Sequence, residues 1–255
     1  MFRMLKLNPP NGWRAVVWEL AIVTLGVLIA LAVQQWAEAL NWRQKVRAAD
    51  SQLKDEALTN FTFAAEQLVT EPCIQAQLES LRLRLLKSGA TLQPAPLFRE
   101  TFASYVFRQP SRTYQNDGWE SLIADDTANH VAPGRRRKLA TYYSQLAEMR
   151  DLGRDNESAV GRLNAISEPL PFDPATRAGF IELVHDQIYR TRSLSLMALQ
   201  GMGTLRDLGI APDDRRVDRF LNNYSGTVLF CRQNKLPLAD WRRDLAGEKA
   251  EQFPT

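Results

Sequence analysis

Alternation of period two is nearly absent from these 255 residues, which removes the main signal for a sheet-based fold. Histidine is scarce. His130 and His185 are the only two, and neither has a second ligand at helical or hairpin spacing, so no metal site is expected. Neither a Walker A pattern nor the dinucleotide glycine pattern occurs, and no Gly-x-Ser-x-Gly elbow marks a nucleophile. These gaps leave no motif for nucleotide, cofactor or acyl-transfer chemistry, and the expectation is no cofactor and no enzyme activity. An excess of one charge is also missing, with 32 basic against 29 acidic residues. Nucleic-acid binding needs a clustered surplus, so nucleic acid is not an expected partner. Cysteine is limited to Cys73 and Cys231, whose spacing fits no zinc or redox motif.

One long apolar run is present. Residues 15–33 are interrupted only by Glu19 and Thr24, with no proline inside. A spanning helix needs about 20 mostly apolar residues at 1.5 Å rise each. Trp13 and Trp18 sit at one end, Trp36 and Trp42 at the other. Indole rings favour the headgroup layer, so these four read as membrane-interface anchors. Trp13 to Trp36 spans about 35 Å as a helix, roughly a hydrocarbon core with its margins. The expected organisation is a cytoplasmic tail over 1–14, a transmembrane helix over 15–36, a helical ectodomain over 37–247 and a flexible tail over 248–255.

Arg3, Lys6 and Arg14 flank one side of the run and Arg43, Lys45 and Arg47 the other, a slim margin for a cytoplasmic N-terminus. A first hydrophobic segment behind a short tail favours the same orientation. The resulting expectation is a bacterial inner-membrane protein with a periplasmic C-terminal domain. The competing reading is a signal peptide cleaved at Ala30-Leu31-Ala32. Glu19 in the apolar run, and helical periodicity continuing past Ala32, favour an uncleaved anchor. Glu19 is either a polar site within the membrane or a carboxylate that reaches the headgroups near Arg14. Gly26 and Ala30 form a small-xxx-small pair that permits close packing of two such helices. In an oxidising compartment Cys73 and Cys231 most simply form one disulfide.

Helical periodicity dominates the rest. Val46, Ala49, Leu53, Ala57, Phe61, Ala64 and Leu68 fall at steps of three and four, predicting a helix from the membrane to about Val69. Pro72 is expected to end it or to open the next. Ile74, Leu78, Leu81 and Leu85 form a second stripe, with Gly89 placed as a C-terminal cap. Residues 101–108 fit a strand or a helix, and residues 109–118 read as loop. A short helix over 119–129 enters through Asp117. Pro133 opens a longer helix carrying Leu139, Tyr142, Tyr143, Leu146 and Met149. Asp173-Pro174 is a start signal, Gly209 a stop, and Asp213 a second start. From Lys235 a short helix and a ragged tail are expected. The fold class is all-α: a single N-terminal transmembrane helix continuing into an extramembrane helical bundle.

The N-terminal block resembles a bacterial group of single-pass membrane proteins of unknown function. The matching residues are Glu19-Leu20, Gly26-Val27-Leu28-Ile29-Ala30-Leu31 and Trp36-Ala37-Glu38. Trp18 stands where those proteins often have glycine, and Gln34-Gln35 where they often have asparagine. The runs Trp119-Glu-Ser-Leu-Ile and 139–146 are also similar to that group. The resemblance implies a membrane-anchored helical protein, supplies no activity, and raises the weight of Glu19 as part of the segment's pattern.

Other candidate sites are weaker. Tyr114, Trp119, Tyr142 and Tyr143 are expected to converge, either as core or as a ligand cleft between helices. Arg135-Arg136-Arg137-Lys138 is the strongest charge run, readable as a solvated face or as a binder of anionic lipid. Its cations oppose the helix dipole, and Glu148 or Asp151 are the expected compensating partners. Three function classes follow. The first is a non-enzymatic module that binds a partner or organises an envelope complex, with the bilayer, another envelope protein or a second copy as partners. The second is a small-molecule sensor that signals through a partner. The third is an unrecognised hydrolase built from Asp125, Asp126, His130 or His185, with Glu120 alongside.

Overall fold

A computed structural model describes residues 12–99 and 104–252. One helix organises it. α1 spans Gly12–Lys87, 76 residues, or about 114 Å at 1.5 Å per residue. Its N-terminal apolar stretch is long and apolar enough to cross a membrane, and none of that stretch is buried against the rest of the chain. The same helix then becomes the spine of the bundle, burying Leu53, Ala57, Phe61, Ala65 and Leu68.

Pro72 does not end α1; it lies inside it. A proline in a helix interior costs about 3 kcal/mol, because it removes one hydrogen bond and crowds the preceding turn. Leu68, Val69, Cys73 and Ile74 are buried on both sides of it. Each large apolar side chain gains about 1.5–3 kcal/mol on burial, so the packing outweighs the proline. The second stripe, Ile74 to Leu85, therefore belongs to α1 as well. Gly89 is not a left-handed cap either, because Gly209 is the one described glycine with positive φ. The end of α1 is closed from outside, by the Arg177 guanidinium donating to the carbonyls of Leu85 (2.9 Å) and Gly89 (3.0 Å).

A hairpin of two short strands follows, β1 at Phe98–Arg99 antiparallel to β2 at Ser104–Tyr105. Of the expected strand or helix over 101–108, residues 101–103 lie outside the described residues. α2 covers Asp117–Ala124 and stops short of the expected 129. Asn116, one residue before Asp117, holds the N-cap position. The Asp125 carboxylate accepts from the Thr127 amide at 3.0 Å and opens a separate short turn, Thr127–His130.

α3 (Pro133–Leu163) and α4 (Pro174–Asp207) complete the central packing. Arg135 meets Asp50, and eight residues later Tyr143 meets Glu56, so α3 runs parallel to α1. Gln67 meets Ser195 and Gln75 meets the Ile188 carbonyl, so α4 runs antiparallel. The start signal on α4 holds: Asp173 accepts from the amides of Ala175 and Thr176. So does the stop. The Ile210 amide reaches the Leu205 carbonyl at 2.8 Å and the Gly209 amide reaches Arg206 at 2.9 Å. That is a Schellman ending, and Gly209 supplies its positive φ of 72°. α5 (Asp214–Asn223) is capped by Asp213 and α6 (Gly226–Gln233) by Ser225. α7 (Trp241–Gln252) is longer than the short helix expected, and its backbone is helical to Gln252; residues 253–255 of the expected tail lie outside the described residues.

Two apolar clusters fill the bundle. One centres on Leu53 to Val69 with Leu139 to Met149, the other on Ile74 to Leu85 with Val160 to Ile166. Between them lies a buried polar level of Thr70 on α1, Asn156 on α3, and Gln187 and Thr191 on α4.

Candidate functional site

The segment read as loop over 109–118 is fixed along α1 by three side chains of that helix. The Gln77 amide makes two reciprocal bonds with the backbone of Arg108: it accepts from the amide at 2.7 Å and donates to the carbonyl at 3.1 Å. Asn60 does the same at Gln115, at 2.8 Å and 2.7 Å. Glu66 lies between them and holds Arg112. The spacing is self-consistent. Asn60 to Gln77 covers about 25 Å of helix, and Arg108 to Gln115 covers about 23 Å of extended chain. The strap thus runs antiparallel to α1, with the backbone groups of Arg108 and Gln115 paired by side chains of the helix.

The strap walls a groove of about 540 Å³ on one side and another of about 440 Å³ on the other. The first opens between the strap and the start of α6. At its base Glu66 is only 1 % exposed. Arg112 Nε donates to its Oε2 at 2.6 Å, and Arg112 Nη2 and Ser225 Oγ donate to Oε1 at 3.2 Å and 2.5 Å. Arg112 also donates to the Tyr224 carbonyl at 3.0 Å and lies over the rings of Phe63 and Phe220. Both carboxylate oxygens are engaged, so Glu66 serves as an anchor. Arg108 donates weakly to Thr227 Oγ1 at 3.4 Å. Burial lowers the pKa of its guanidinium, and Glu66 opposes that shift. A Cβ at Gly226 would sit 2.7 Å from Arg108 Nη2, so a side chain there would displace the end of that guanidinium. The second groove is lined by Gln67 and reaches the polar level at Asn156. Asn156 is 3 % exposed, and its Oδ1 has no hydrogen-bond partner among the described residues.

Cys73 and Cys231 form a disulfide with Cα atoms 6.1 Å apart. It ties the start of the second apolar stripe to α6, beside the groove. The four aromatics do converge, and Tyr114, Tyr142 and Tyr143 belong to the apolar core with Trp119 packed against it. Trp119 stacks on Tyr143 with centroids 5.3 Å apart, and Tyr142 meets Tyr143 edge-on at 5.0 Å. Tyr114, Tyr142 and Tyr143 are buried, and burial pushes each hydroxyl well above its ordinary range. The Tyr143 hydroxyl donates to Glu56 at 2.6 Å, and the Glu56 carboxylate also accepts from the Gly118 amide at 2.8 Å. That hydroxyl is satisfied internally. Only Tyr114 borders a groove, the second one.

Glu19, Gly26 and Ala30 lie on the exposed apolar stretch of α1, and nothing approaches Gly26 within 4 Å. Trp13, Trp18 and Trp36 are exposed along it. The Trp42 ring stacks on His130 at 3.8 Å between centroids. His185 is exposed on α4. Arg135 finds its partner in Asp50 at 2.6 Å, not in Glu148 or Asp151. Asp151 is taken by Arg154 one turn along the same helix. Among the described residues no three potential ligands cluster as a metal site, and Asp125 serves as a cap.

The strap and its groove were missed by sequence reasoning. The available signal was polar residues on the buried side of a helix: Glu56, Asn60, Glu66 and Gln77 sit on or beside the apolar stripes of α1. Comparison with protein-family models, curated proteins and solved structures finds no match.

Proposed function

We propose that this chain is a non-enzymatic, membrane-tethered module whose bundle binds a partner protein across the strap and its first groove. One observation carries the reading: a single unbroken helix is apolar and bare over its first part and is the clamped spine of the bundle over its second. Such a helix holds the groove at a set distance from the bilayer, which suits presentation to a neighbour in the membrane. The groove is open, and its central carboxylate is consumed by structure, which suits surface recognition more than chemistry. The disulfide supports an exported, oxidising location for the bundle, hence a cytoplasmic N-terminus and, for a bacterial chain, a periplasmic domain.

The test is photocrosslinking in native membranes from a probe at Ser111, an exposed residue on the rim shared by both grooves. A discrete heavier species, absent when the probe sits at exposed Glu182 on α4, supports the reading. Monomer alone from Ser111 contradicts it. The unpartnered Asn156 Oδ1 favours one second reading, a small ligand with a hydrogen-bond donor seated in the second groove. A thermal-shift screen with no hit that Asn156→Leu abolishes argues against that version.

A further inference from the structure

We propose that the membrane-proximal end of the bundle is a docking surface for anionic lipid headgroups. This rests on the reading of the apolar stretch of α1 as a membrane span. Because α1 is unbroken, heights above the bilayer follow from residue number. Trp42 lies about 9 Å beyond Trp36 along the axis. Its ring stacks on His130 at 3.8 Å, with an interplanar angle of 14°. That contact brings the short turn before α3 to the level where α1 leaves the membrane. α3 runs parallel to α1, so its first turn is the end nearest the bilayer.

Two sets of cations meet there. Arg43, Lys45 and Arg47 are exposed on α1, and Arg136, Arg137 and Lys138 stand at the start of α3. None of the six is ion-paired with a carboxylate among the described residues. The neighbouring acids are occupied otherwise. Asp50 holds Arg135, Asp125 caps the Thr127 amide, Asp126 accepts from Asn129, and Glu38 accepts from Gln34. Lys45 rests over the Trp42 ring at 4.6 Å and also acts at longer range on Asp125, whose pKa it helps to lower. The α3 cations also oppose their own helix dipole, so local secondary structure does not account for them. An anionic surface facing them does.

Distance decides how docking occurs. The α1 cations lie roughly 10–17 Å past Trp36. Physiological salt screens charge over about 8 Å, so an upright span leaves them partly screened. A tilt of about 20° is ordinary for a spanning helix. The start of α3 lies level with Asp50, about 21 Å past Trp36, and tilting toward the Trp42 face brings it a few Å nearer the headgroups, a lean that anionic lipid favours.

The test uses the full chain in vesicles. Cys73 and Cys231 are bridged, so Gly134→Cys supplies a single free thiol for a spin label, in open space at the start of α3. Relaxation by a headgroup-attached nickel chelate, at one fixed low fraction, is compared in phosphatidylcholine alone and with phosphatidylglycerol added. The expected result is stronger relaxation in the anionic bilayer, lost in Arg137→Gln/Lys138→Gln and in high salt. Both residues are exposed, so the fold is unaffected, as circular dichroism would verify. Equal relaxation in the two bilayers, or a gain that survives the double substitution, overturns the proposal. Flotation with the vesicles reports separately on the span: a chain that fails to float overturns the membrane reading itself.

Discussion

Glu66 on α1 and Arg112 on the strap form an ion pair at 2.6 Å whose carboxylate is almost wholly buried. The pair sits midway between two amide clamps, Gln77 on Arg108 and Asn60 on Gln115. Removing one partner of a buried pair leaves an uncompensated charge, at a cost of about 3–5 kcal/mol. Arg112→Met is therefore expected to lower unfolding stability by about that much, and Glu66→Gln/Arg112→Met by clearly less. Denaturant melts of the two variants decide it. A single variant no worse than the double contradicts the anchoring role of Glu66.

The clamps predict a local effect. Gln77→Ala removes both bonds to the Arg108 backbone and should cost about 1–3 kcal/mol. Amide exchange should accelerate at Arg108 and stay unchanged at Gln115, where Asn60 still holds. Uniform acceleration along the strap would show that the clamps are not independent.

Much of this was legible in the sequence, for physical reasons. A helix that buries one face must repeat apolar residues every three or four positions, and caps need specific side chains. Hence the apolar run, the stripes on α1 and α3, Asp173, Gly209 and the cysteine pair can be read directly. The strap could not be. Its backbone bonds come from Asn60 and Gln77, which lie more than thirty residues away in sequence at either end. The run through Pro72 was hidden for a related reason: local propensity opposes it, and only tertiary burial reverses the sign. The stacking of His130 on Trp42 was hidden as well, because nothing local announces that the chain returns there.

Proline at position 72 forfeits a hydrogen bond to the carbonyl of Leu68 while the helix continues regardless. Pro72→Ala is expected to stabilise the bundle by about 2 kcal/mol, the restored helix energy less the lost rigidity of the unfolded chain. A thermal melt checks the direction. Destabilisation would mean that the packing at Cys73 depends on the geometry proline imposes.

Glu71, next to it, has its pKa raised chiefly by burial, with Arg192 opposing the shift. A carboxyl whose folded pKa exceeds its unfolded value of 4.5 contributes stability that is fully present below that value. The contribution is lost as pH rises through the folded pKa. At pH 7 Glu71→Gln should thus melt slightly above the parent, by under about 1 kcal/mol because the site is half-exposed. The gap should close as pH falls below 4.5. A gap that widens in acid contradicts the burial argument.

The central claim is that one helix ties a disulfide-closed bundle to a membrane. The bridge spans 158 residues, and chain entropy assigns such a loop about 5 kcal/mol. Cysteine alkylation in intact cells, with and without reductant, read by gel shift of the membrane fraction, tests both halves together. The account predicts a full-length, membrane-bound species whose Cys73 and Cys231 react only after reduction. Thiols that react without reductant, or a shortened soluble species cut near Ala32, would contradict it.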